Sequence, residues 1–151
     1  MQRTFEFTRT SRTIISKFLD TYTLEQLNTI PDGFNNNLIW NIGHIVVVQQ
    51  MLVYNLSGLP MMVSPEMVAK YKRGTKPEAD VTKEEVDEIR QLLITTINQC
   101  EADFSNQIFK NYNTFTTATG FTLTTAEDAM AFNYYHEATH LGMMMGIRKF
   151  I

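Results

Sequence analysis

A single cysteine, Cys100, excludes an internal disulfide and any cysteine-rich zinc site. It falls on an apolar stripe with Ile97 and Phe104 and reads as a buried structural thiol. Concentrated positive charge is also missing: the net charge is −3 and no basic cluster extends beyond Lys70 to Arg73. The phosphate-neutralising footprint of a nucleic-acid binder is therefore absent, and no nucleic-acid partner is expected. Long apolar runs are lacking as well. The longest strongly apolar stretch, Ile45 to Val48, is far short of the ~20 residues that span a bilayer. Met1 to Arg12 is polar rather than signal-like, so the expectation is a soluble, cytoplasmic chain with no membrane partner. With 44% of its 151 residues apolar, it suits one domain, 1–151, that buries roughly two-thirds of its unfolded surface.

Helical periodicity dominates what is present. Phe7, Ile14, Ile15, Phe18 and Leu19 predict an amphipathic helix over about 4–20. Thr23-Leu24-Glu25-Gln26 matches a capping box for a short helix that Pro31-Asp32-Gly33 ends. From Leu38 to about Ser57, after the N-capping run Asn35-Asn36-Asn37, the residues Trp40, His44, Val47, Val48, Met51 and Asn55 share a face. Gly58, Pro60 and Pro65 stop this second long helix. The connection to Val81 is longer than a helix hairpin requires, so it is a crossover or part of a site. Thr82 to Glu85 reads as a second capping box, followed by the stripe Val86, Ile89, Leu93, Ile97, Cys100 and Phe104. The Thr- and aromatic-rich segment from Asn111 to Leu123 reads as extended or looped. Thr124 to Glu127 caps a last helix with the stripe Ala129, Phe132, His136, His140, Met143 and Ile147. The fold class is all-α, a four-helix bundle with a long connection between its second and third long helices.

The chain has only three histidines. His136 and His140 are four apart on one helix face, a spacing that lets both imidazoles close on one ion, and His44 sits ~10 Å into another helix. Three neutral nitrogens with a position left open describe a catalytic zinc site, and imidazole also suits nickel or iron. The alternative is three separately buried, hydrogen-bonded histidines. His136-Glu137-Ala138-Thr139-His140 also matches the H-E-x-x-H pattern of zinc peptidases. Those enzymes take their third ligand from downstream, whereas the eleven residues after His140 contain no His, Glu or Asp.

Asn37-Leu38-Ile39-Trp40-Asn41-Ile42-Gly43-His44, together with His136 to Gly142, resembles the DinB-like (YfiT-like) metalloenzyme family, whose W-N-x-G-H segment is matched here. The likeness takes in the stretch from Pro31 to Pro60 and the terminal Ile147-Arg148. The resemblance implies a four-helix bundle, often homodimeric, with a divalent metal held by His44, His136 and His140 in a cleft. It also implies chemistry such as thiol-dependent transfer or isomerisation with low-molecular-weight thiols. One departure is Met143, where relatives often carry Gln.

Such a metal polarises a substrate or lowers the pKa of water or a thiol, which suits a hydrolase and a thiol transferase of small molecules equally. The competing class is a non-catalytic metal-binding or stress-response protein. Glu137 is the candidate general base, although it lies ~100° around the helix from His136. Trp40 reads as core, and Asn41, Tyr134 and Tyr135 as packing or pocket. Lys72 and Arg73 either meet an anionic substrate or belong to a solvated turn. The many methionines fill the core or form an adaptable surface.

Overall fold

The computed structural model describes residues 1–151. Four long helices, α1 (Gln2–Thr21), α3 (Leu38–Val53), α5 (Lys83–Ser105) and α6 (Ala126–Ile147), form the bundle. The short helices α2 (Leu24–Asn28) and α4 (Pro65–Tyr71) and a two-stranded hairpin, β1 (Phe115–Thr116) and β2 (Thr122–Leu123), fill the connections. The strands pair Phe115 with Leu123 and Thr116 with Thr122, consistent with the extended reading of that segment.

Side-chain bonds give the helix directions. Arg9 of α1 meets Asn98 and Glu101 of α5, while Arg90 meets Leu19 and Asp20, so α1 and α5 are antiparallel. Arg12 with Glu137 and Phe7 with Tyr134 set α1 and α6 in parallel. Asn41 with His140 and His44 with His136 make α3 and α6 antiparallel. Tyr71, seated on Gly43, bonds Glu85 at one end, and Tyr54 bonds Asp103 at the other, so α3 and α5 run the same way. Parallel neighbours oblige the chain to return along the bundle between them, which makes the 54–82 connection a crossover. Helix α4 lies in this crossover. Pro65 does not stop a helix but opens one at its first position, with Ser64 capping the Met67 amide, because that position needs no N–H donor. The crossover ends on Asn28, whose amide both donates to and accepts from the Val81 backbone.

Several caps and stripes differ from the sequence expectation. Thr82 accepts from the Glu85 amide, but the Glu85 carboxylate turns to Lys70 and Tyr71 and leaves the box half-made. On α6 the box forms between Thr125 and Asp128, one residue later than expected. The buried stripe of α6 is Ala126, Ala129, Met130, Asn133, Glu137, Met144 and Ile147; Met143 is exposed, and His136 and His140 are half-buried on its flank. On α1, Phe7 and Ile14 face solvent, while Phe5, Arg12, Ile15 and Leu19 carry the core face. Helix α3 is buried around nearly its whole circumference and is the centre of the bundle.

One ion pair explains both rotated stripes. Arg12 and Glu137 are each 0% exposed, with Arg12 Nη2 2.6 Å from Glu137 Oε1. Arg12 Nε reaches both carboxylate oxygens, and Nη1 donates to Leu93 O at 2.9 Å and Thr96 Oγ1 at 2.7 Å. Asn133 Nδ2 adds a bond to Glu137 at 2.7 Å. Two charges can be buried at this depth because nearly every donor and acceptor is met. Cys100 is buried nearby, and burial pushes its thiol up to about 12, in keeping with a structural role.

Arg12→Met leaves the Glu137 carboxylate buried and uncompensated, and is expected to remove about 3–5 kcal/mol of stability. The double variant Arg12→Met, Glu137→Met is expected to cost less than the two single changes added together. Urea unfolding of the four proteins measures both quantities.

Candidate metal centre

Helix α3 supplies one wall of the site and α6 the other. The ring nitrogens of His44, His136 and His140 lie within 4.8 Å of one another. His140 Nε2 and His136 Nε2 are 3.2 Å apart, close to the ~3.3 Å that two nitrogens adopt at tetrahedral angles on one zinc ion. The rings pack with centroids 4.5 to 5.2 Å apart.

Hydrogen bonds fix two of the tautomers. His44 Nδ1 is 2.6 Å from the Tyr71 carbonyl, which can only accept, so Nδ1 carries the proton and Nε2 its lone pair. Asn41 Nδ2 donates to Asn36 Oδ1 and Asn37 O, which sets the orientation of its amide. Its Oδ1 therefore accepts from His140 Nδ1 at 2.8 Å, and the His140 Nε2 lone pair also faces the cluster. Orientation of each ligand through its second nitrogen is how histidine metal sites are built. His136 has no partner at Nδ1, and its ring is held by packing on Phe132 and His140. These donors fit a divalent ion: three imidazoles, two of them locked with Nε2 directed inward.

Electrostatics agree with the geometry. Burial, reinforced by His140 and His44, holds the His136 pKa down to about 3, and burial with His44 holds that of His140 down to about 4. Burial also lowers that of His44, against the raising effect of the Tyr71 carbonyl. All three are neutral, ligand-competent imidazoles at neutral pH.

The histidines line a cavity of about 320 Å³ whose walls include Val48, Met51, Leu52 and Phe132, with the β1–β2 hairpin and Arg73 along it. Trp40, 6% exposed, stacks on His44 with centroids 4.7 Å apart, so it is core that backs a candidate ligand. Tyr134 packs on Phe7, and Tyr135 on Phe121 and Phe132; neither lines the cavity, nor does Met143.

A model of the DinB superfamily matches residues 8–144. The chain belongs to the DinB superfamily. A comparison with curated proteins finds no match. Within this DinB chain the W-N-x-G-H segment has a physical account: Trp40 backs His44, Asn41 orients His140, and Gly43 admits Tyr71. A Cβ on Gly43 would lie 2.6 Å from Tyr71 Cδ1, inside contact distance.

The sequence named the three histidines but not the two groups that orient them. Asn41 stood out as the Asn of the W-N-x-G-H segment, but nothing in the sequence tied it to His140. The Tyr71 carbonyl carried no signal at all, being backbone from a distant segment. Glu137, the expected base, has its carboxylate occupied by Arg12 and Asn133 and does not line the cavity.

Gly43→Ala must displace the Tyr71 ring, and with it the carbonyl on His44. It is expected to cost about 1–3 kcal/mol in stability and to weaken metal binding, as calorimetry on purified protein measures. A second expectation concerns pH. The unfolded histidines titrate near 6.5, and the folded, metal-free ones well below, so the unfolded state binds more protons between these values. Stability of metal-free protein therefore falls as pH drops below about 6.5, by up to ~1.4 kcal/mol per pH unit for each of His136 and His140. The loss ends near their folded values. Urea midpoints in chelator between pH 7 and 5 report this slope, which His136→Gln reduces.

Proposed function

We propose that the protein is a divalent-metal-dependent enzyme acting on a small molecule, either as a hydrolase or as a low-molecular-weight-thiol transferase. The observation that carries this reading is a cluster of three inward-facing histidines, with no fourth His, Cys, Asp or Glu beside them, lining a cavity of substrate size. A structural site closes its fourth position with protein, whereas this one faces open volume. Zinc or nickel suits three imidazoles best, and iron is compatible.

When bound, such an ion supplies Lewis acidity to whatever enters the open position. The chain's own residues do the rest. The Tyr71 carbonyl and Asn41 Oδ1 hold the protons of His44 and His140 at Nδ1, so neither ring rotates away. Val48, Met51, Leu52 and Phe132 make an apolar wall beside the histidines that limits water in the cavity. Glu137 serves in this reading as a positioning residue for α6 rather than as a general base, since its oxygens are taken by Arg12 and Asn133.

The proposed setting is the cytoplasm, and no helix is long and apolar enough to cross a membrane. A homodimer is part of the proposal. Between Asp128 and Arg148 the only charged residue of α6 is the buried Glu137, and Tyr134, Tyr135, Met143 and Met145 are exposed, which favours contact with a second copy.

Protein purified without chelator or affinity tag is expected to hold one divalent ion per chain by elemental analysis, with His136→Ala losing most of it. Absence of stoichiometric metal in the wild type would overturn the enzyme reading. Turnover of small electrophiles by metal-loaded protein, with and without added thiols, then separates the two chemistries: activity indifferent to thiol removes the transferase.

A further inference from the structure

The cavity over the histidines has a feature that metal binding leaves unused. Arg73 is the only charged residue that lines it. Arg3, Arg9, Arg12 and Arg90 each have a carboxylate partner; Arg73 and Arg148 have none, and of these two only Arg73 lines the cavity. Its side chain is exposed, yet its backbone is firmly placed. Lys72 to Thr75 form a turn in which Thr75 N donates to Lys72 O at 3.3 Å, with Gly74 at φ +89° in the third position as a type II turn requires. The Thr75 hydroxyl reinforces the turn on the carbonyls of Lys70, at 2.7 Å, and Lys72, at 2.8 Å. Tyr71, two residues earlier, delivers the carbonyl that orients His44. One short segment thus fixes a histidine and stations a guanidinium on the same cavity.

The remaining walls are mostly apolar, with Val48, Met51 and Leu52 from α3, Phe132 from α6, and Phe115 and Ala118 from the hairpin. A guanidinium without an internal partner at the edge of an apolar cavity matches a carboxylate in a two-pronged hydrogen bond. We propose that Arg73 recognises the substrate: a small organic anion with one carboxylate-type charge held by Arg73, and an apolar body along the wall that leads to the histidines. This assignment rests on the enzyme reading above for the reacting end of the molecule, but the recognition of charge is a property of Arg73 alone. One guanidinium calls for one negative charge, which disfavours multiply charged substrates.

The test uses 4-phenylbutyrate and its uncharged isostere 4-phenylbutyramide, titrated by calorimetry into metal-free and zinc-loaded protein. Wild type, Arg73→Gln, Arg73→Lys and His136→Ala are compared. In metal-free wild type the carboxylate is expected to bind about tenfold more tightly than the amide. Arg73→Gln, at an exposed turn, brings the carboxylate affinity to that of the amide, and Arg73→Lys keeps part of the preference. Equal affinities in the wild type, a preference that survives Arg73→Gln, or no carboxylate binding at millimolar concentration would overturn the proposal. A preference seen only with zinc, lost in His136→Ala and indifferent to Arg73→Gln, would overturn the role of Arg73 while supporting the metal reading. Failure to take up zinc with the Arg73-dependent preference intact would overturn the metal reading and leave the anion site standing.

Discussion

The buried bond between Arg12 and Glu137 governs where everything else in the bundle points. Helix α6 has no strong apolar stripe to set its rotation, and a carboxylate forced into the core sets it instead. With Glu137 aimed at Arg12, the 100° per residue of an α-helix places His136 at about −100° and His140 at about −60°. Both histidines therefore leave the helix on one side of the glutamate. That side faces α3, where His44 waits. The guanidinium also binds the Leu93 carbonyl and the Thr96 hydroxyl, so the same interaction anchors α5 to α1 and α6.

This geometry accounts for the H-E-x-x-H match without peptidase chemistry. In that pattern the glutamate works on a substrate beside the metal, but here it points toward the bundle axis and away from the cavity. Adjacent in sequence, Glu137 and His136 belong to different environments. The glutamate is a fixed internal charge, and the histidines are neutral and open to the cavity.

Where polar residues fill the core, apolar periodicity misleads. On α6, Asn133 and Glu137 occupy the buried line, so the hydrophobic residues left over, such as Phe132 and Met143, suggested a face rotated from the true one. Arg12 had the same effect on α1. By contrast, α5 follows its apolar stripe from Val86 to Cys100, and there the sequence expectation agrees with the structure. The histidine trio was legible because histidine is rare in this chain and because i, i+4 spacing is a local rule. Asn41 and Tyr71 were not, since their roles depend on how α3 meets α6 and α4. Pro65 was read as a stop, and the Ser64 cap on Met67 shows that it opens α4 instead.

The crossover links topology to chemistry. Parallel placement of α3 and α5 requires a long return segment, and this segment runs over the histidine end of α3. Gly43 lets it approach closely enough for the Tyr71 carbonyl to reach His44, and the next turn sets Arg73 beside the cavity. Three neutral imidazoles do not offset the charge of a divalent ion, and the nearest core carboxylate is already neutralised by Arg12. A metal-loaded centre would thus stay electropositive, and Arg73 extends that potential to the cavity rim. Attraction of an anion is common to both proposed chemistries, whether the anion is a thiolate nucleophile or a carboxylate substrate. What separates them is whether a thiol is the group brought to the histidines, and the cavity's apolar wall bears on what enters. It favours a ligand that brings hydrophobic surface along with its charge over a small hydrated ion.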